Sequence, residues 1–193
     1  MTTDPTPVGA ETGTTPAAAL AALEPACTTE QAFALFDALP GVGAGELRGR
    51  WHGRELATGH PMDGLLDATG WYGKRFDDDD AVHPLLFRTG RGAHGKIVSV
   101  DPRWAPMGIA GRVAPGTLAR GRFAIDLLAP VLRTRKPRAR LRQVHHRGVD
   151  TTAMVYDHLP IIDTFRRVDA DTVLGVMDLR AHPAPYFFVL ERD

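Results

Sequence analysis

A single cysteine, Cys27, stands in a chain of 193 residues, so there is no internal disulfide framework and no thiolate cluster for a metal. That usage fits a reducing compartment and makes the cytoplasm the expected location. Net charge is missing as well: 23 Lys and Arg balance 23 Asp and Glu, so no overall field draws the chain onto nucleic acid or an anionic membrane. Long apolar runs are absent, and no window approaches the roughly 18 apolar residues of a membrane-spanning helix. The first 16 residues lack the basic start and apolar stretch of a signal peptide; rich in Thr, Pro and Gly, they are expected to form a disordered leader. Catalytic motifs are scarce. There is no GxSxG and no HExxH, and no histidine lies near Cys27 in sequence, so no catalytic or metal-ligating residue is assigned. Acid–base work by inward Asp or His groups stays open, because such groups need only meet in space.

What is present is 44% hydrophobic content, enough for one sizeable core. Thr28 stands three residues before Gln31, a capping-box spacing, and Ala32, Phe33, Leu35, Phe36 and Leu39 follow at helical intervals. This predicts a short amphipathic helix over 28–39, stopped by Pro40-Gly41, with a weaker Ala-rich helix over 17–23 before it. From about residue 45 the texture becomes short β-like runs: 46–53, 71–77, 82–87, 96–101, 121–128, 139–146, 152–157, 162–168, 172–179 and 186–192. Between the first two, residues 61–69 read as a helical insert with Pro61 in its first turn and Gly70 as its stop.

Strands this short, recurring with turn chemistry between them, argue for a mainly β, antiparallel sandwich or barrel; because closure removes the sheet edges, the expected form is a closed barrel of about ten strands. The expected organisation is a leader (1–16), a helical segment (17–44) and one barrel domain (45–193), built from parts 45–105 and 120–193. In Tyr186-Phe187-Phe188-Val189-Leu190 both faces are apolar, so this strand is covered outside as well as inside, and the N-terminal helix is the expected cover.

Several tempting motifs have blander accounts. Gly90-Arg91-Gly92-Ala93-His94-Gly95-Lys96 satisfies GxGxxG, but the β-rich run Ile97-Val98-Ser99-Val100 follows where a phosphate site needs a helix, so a glycine-rich hairpin is expected. Asp77-Asp78-Asp79-Asp80 lacks the spacing, glycine and distal Glu of a calcium loop and reads as a solvated turn. His145 and His146 are strand neighbours facing opposite sides, so they do not converge on one ion; one of them should point inward. Arg133, Arg135, Lys136, Arg138, Arg140, Arg142 and Arg147 form the strongest charge cluster, either a solvated outer face or a contact for phospholipid headgroups at a membrane surface. The aromatics expected between such charges in a nucleic-acid binder are missing, and no nucleic-acid partner is expected.

Gly49-Arg50-Trp51-His52-Gly53 reads GxWxG, and with Thr58-Gly59-His60-Pro61 and Trp71-Tyr72-Gly73-Lys74 it resembles the bacterial GXWXG protein family. Met154-Val155-Tyr156-Asp157, Leu159-Pro160-Ile161-Ile162-Asp163, Thr172-Val173-Leu174-Gly175 and Pro185-Tyr186-Phe187-Phe188-Val189-Leu190 resemble the domain of unknown function that accompanies it. A strand-borne GxW is also similar to the calycin group: lipocalins, fatty-acid-binding proteins and haem-binding nitrobindins. That resemblance implies a barrel whose Trp51 closes one end of a cavity, and a lipid as cargo.

The expected function is therefore carriage of a fatty acid, a phospholipid or another apolar small molecule. Trp51, Trp71, Phe123, Leu141, Met154, Tyr156, Phe165, Arg166, Leu174 and Met177 are the candidate ligand-binding residues, Tyr156 and Arg166 being the polar ones. No cofactor is required on this reading. Its alternatives are a haem or small-gas barrel using an inward histidine, and an enzyme acting on an apolar substrate in the same cavity.

Overall fold

The computed structural model describes residues 14–90, 95–104 and 132–193. Two helices, α1 (Pro16–Leu23) and α2 (Thr29–Ala38), lead into a 3-10 turn (Ala44–Leu47) and the first strand, β1 (Gly49–Leu56). Helix α2 begins where the spacing predicts: Thr28 Oγ1 accepts from Gln31 N, and Gln31 Oε1 accepts from Thr28 N at 2.8 Å, reciprocally satisfying two amides left open by the helix start.

After β1 come α3 (Leu65–Thr69), β2 (Trp71–Asp78), β3 (Ala81–Thr89) and β4 (Lys96–Ser99). They are followed by β5 (Ala139–His146), β6 (Val149–Tyr156), β7 (Ile161–Arg167), β8 (Thr172–Leu179) and β9 (His182–Arg192). Eight of the strands close antiparallel in the order β1-β2-β3-β5-β6-β7-β8-β9 and back to β1, while β4 hangs on β3. The described residues thus hold the expected closed antiparallel barrel as an eight-stranded wall with one extra strand. The predicted strand at 121–128 lies outside them. β3 and β4, which flank the glycine-rich motif, pair antiparallel with Thr89 opposite Lys96, and residues 91–94 of the motif lie outside the described residues.

The insert at α3 is shorter than predicted. Asp63 Oδ2 accepts from the amides of Thr58, Gly59 and His60 at 2.9–3.1 Å, so residues 58–63 are tied into a turn before the helix can start. Pro61 therefore precedes the helix instead of opening it.

The wall separates two apolar clusters. Inside lie Trp51, Trp71, Phe76, Leu141, Met154, Phe165, Met177 and Phe188. Outside, Phe187 and Val189 of β9 with Leu174 and Val176 of β8 are covered by Leu20, Ala32 and Phe36 of the helices. Strand alternation sends successive residues of β9 to these opposite clusters, which is why that strand is apolar on both faces. Phe33 and Phe36 meet the Phe187 ring edge-on at centroid distances of 5.0 and 6.5 Å.

The charged segments neutralise one another on the surface. Arg138 pairs with Asp101, Arg140 with Asp157, Arg142 with Asp80 and Arg147 with Asp37, all at 2.6–2.7 Å. Asp78 and Asp79 are shared by Arg48, and Asp77 by Arg75 and His83. Four of the seven cations of the basic strip are therefore matched by acidic partners from other elements.

Candidate functional site

Trp51 sits at the start of β1 beneath the 3-10 turn. Its indole N–H donates to Leu47 O at 2.7 Å, and the Arg192 guanidinium lies 4.3 Å from its ring centroid. Arg192 also donates to Arg48 O and Glu46 O at 2.7 Å each, so the last strand bolts the turn across this end of the barrel.

In the interior, two inward positions carry no side chain. A Cβ at Gly53 would collide with the Trp71 ring, and one at Gly175 would collide with the Phe188 ring. Glycine there lets both rings lie against the wall, 6.1 Å apart edge to face. The ammonium of Lys74 is held between them, 5.5 Å from the Trp71 ring and 4.8 Å from the Phe188 ring.

Lys74 Nζ reaches Asp163 Oδ2 at 2.8 Å, Pro84 O at 3.3 Å and the Tyr156 hydroxyl at 3.5 Å. The side chains of Lys74 and Asp163 are only 4% and 1% exposed, so this is an ion pair held away from water. Burial raises the proton affinity of Asp163, opposed by Lys74; burial likewise holds the Tyr156 phenol well above its usual range, reinforced by Asp163. Three polar positions are left open: among the described residues Asp163 Oδ1 and Trp71 Nε1 are buried without a hydrogen-bond partner, and Tyr156, accepting from Lys74, has its own proton to give.

A second polar group lies where β9 begins. The buried His60 ring stands 3.3 Å from His182 Nδ1 and accepts from Met62 N at 3.0 Å. Burial lowers its pKa, helped by His182. Tyr186 packs on His60 at 5.2 Å; burial and the nearby Glu55 carboxylate raise its phenol pKa, although Glu55 does not meet the hydroxyl with hydrogen-bond geometry.

Two family models match this arrangement, a GXWXG protein over residues 34–92 and a domain of unknown function, DUF4334, over residues 137–192. A solved structure described as a protein from Thermomonospora curvata is 33% identical, with 86% of this chain and 88% of that chain covered and a TM-score of 0.62. The chain belongs to the GXWXG family. No curated protein matches it.

In this GXWXG barrel the candidates Trp51, Trp71, Leu141, Met154, Tyr156, Phe165 and Met177 all fall in the inner cluster. Leu174 and Arg166 do not. Val173 and Gly175 take the inward positions of β8, so Leu174 faces the helices, in the outer cluster with Phe36 and Phe187. Arg166 follows the inward Phe165 and turns outward, donating to Phe36 O at 3.3 Å and to His146 O at 2.7 Å. It satisfies a carbonyl near the C-terminus of α2, where a cation is favoured. Phe123 lies outside the described residues.

Neither histidine of the 145–146 pair joins the inner cluster. His145 is exposed and pairs with Asp150 at 2.7 Å, and His146 lies on the outer face against Phe36.

Lys74 and Asp163 were not among the sequence candidates, because an isolated charge in a strand reads as solvated. The signal was there in the alternation. Ile161, Asp163 and Phe165 share one face of β7, and Lys74 shares one with Phe76.

Proposed function

We propose that the GXWXG barrel binds an elongated apolar molecule of the lipid class, its polar end at Lys74, Asp163 and Tyr156 and its chain among the inner aromatic and Met side chains. The observation that carries this reading is the buried Lys74–Asp163 pair with one carboxylate oxygen unmatched. Desolvating two charges costs several kcal/mol per ion, and apolar side chains of similar volume are often as stable or more so, so the pair earns little as a structural device. A few polar groups in an apolar lining are what orient a ligand, while each buried methylene contributes about 0.8 kcal/mol. Partly exposed Leu65, Leu66, Leu85, Val98, Leu132 and Leu159 border the inner cluster and supply an apolar approach, with α3 as cover.

Native mass spectrometry of the purified protein, followed by extraction of whatever it carries, tests the proposal. A stoichiometric adduct that denaturation releases as a lipid supports it. Protein that is empty, and stays empty with fatty acids, fatty alcohols and phospholipids, overturns it.

A second reading, acid–base turnover of an apolar substrate, is favoured by one observation: Asp163, with its raised proton affinity, stands against an ammonium that also reaches a phenol. Product formation abolished in Asp163→Asn, with uptake retained, marks the barrel as an enzyme.

A further inference from the structure

We infer that the head group taken at this site is an uncharged hydroxyl, as in a long-chain or alicyclic alcohol, and not a carboxylate. The inference rests on the carrier reading above and narrows it to a class of ligand.

The ammonium of Lys74 is already saturated. It has three N–H donors, and Asp163 Oδ2, Pro84 O and the Tyr156 hydroxyl stand in front of it at 2.8, 3.3 and 3.5 Å. The rest of its surroundings are the faces of Trp71, Tyr156 and Phe188. A carboxylate entering here finds no free N–H on the cation. It also meets the carboxylate of Asp163, and it adds a net negative charge to an interior in which Lys74 and Asp163 cancel.

What the site leaves open is a mixed set. Asp163 Oδ1 needs a donor, whereas Trp71 Nε1 and the Tyr156 proton need acceptors. A hydroxyl supplies both kinds at one atom: its proton goes to Asp163 Oδ1, and its oxygen accepts from Tyr156 or Trp71. A carbonyl supplies only the acceptor and leaves Asp163 Oδ1 buried and unmatched, which is the costly outcome. An unbranched hydrocarbon satisfies neither.

The test is a competition series of alcohol, carboxylate and hydrocarbon of one chain length, each displacing a neutral apolar fluorophore from the full chain at pH 7.5. The alcohol should bind about tenfold or more tighter than the carboxylate, the gain expected of one well-formed buried hydrogen bond. In Lys74→Met/Asp163→Leu, which swaps the pair for apolar groups, the alcohol should lose the acceptor for its proton and its advantage over the hydrocarbon should shrink to what Tyr156 and Trp71 still donate. In Asp163→Asn the preference should invert, because Lys74 is released to an anionic head. A carboxylate bound as tightly as the alcohol by the unmodified protein overturns the inference and leaves the carrier standing. Uptake of none of the three, nor of the fluorophore, removes the carrier reading itself.

Discussion

Lys74 Nζ and Asp163 Oδ2 lie 2.8 Å apart inside the barrel, on β2 and β7, strands that are not neighbours in the wall. The contact exists only because the sheet closes, so it reports on the closed barrel as well as on the site.

Removing one partner should therefore be far worse than removing both. Lys74→Met leaves a buried carboxylate alone and should cost about 3–5 kcal/mol, whereas Lys74→Met/Asp163→Leu should come within about 1 kcal/mol of the parent or exceed it. Urea unfolding of the two variants checks this. Equal losses in both would mean that the pair is stabilising in its own right.

Gly53 and Gly175 make room for the two rings that flank Lys74. Alanine at either position should cost about 1–3 kcal/mol through overpacking, and should shift the Trp71 emission as the ring is displaced. Thermal melts and tryptophan fluorescence measure both effects; an unchanged melt for both variants would mean that the rings move aside freely.

Leu174 separates stability from binding. On the helix-covered face, Leu174→Ala should lower stability by about 2–5 kcal/mol while the folded protein keeps its affinity for an apolar probe. Met177→Glu, which puts a charge among the inner side chains, should abolish uptake. The reverse pattern would place the ligand outside the wall.

His60, His83 and His146 should make the fold sensitive to mild acid. Desolvation is the main cause of each lowered pKa, with further lowering from His182 on His60, Arg75 on His83, and Arg166 and Arg147 on His146. The unfolded chain then takes up protons first, near pH 6.5, so their contribution to stability is full above that pH and is lost as pH falls through the lower folded values. The urea midpoint should drop between pH 7.5 and 5.5, and His83→Asn should shrink the drop. A midpoint independent of pH over that window would contradict the assignment.

Much of the fold is legible in the sequence because its signals are local. The Thr28–Gln31 capping box announces α2, and the turn chemistry around residues 147–148, 168–171 and 180–181 separates β5 to β9. What is not legible is which side of a strand is inside. Where helices cover the wall, both faces are apolar, and alternation alone cannot assign Leu174 to one of them. Arg166 misleads for the same reason, since its fully buried guanidinium serves a helix end and not the interior. The Lys74–Asp163 pair is hidden by distance along the chain, and only barrel closure brings the two charges together.

The most direct test is a methyl spectrum of the protein carrying 13C-methyl Met, recorded while an apolar alcohol is added. Met154 and Met177 lie in the inner cluster with the Lys74 cage, so both signals should shift to saturation at one equivalent and show cross-peaks to ligand methylenes. A ligand that binds while leaving both methyls unmoved, or methyls unchanged at any concentration, would contradict binding inside the barrel.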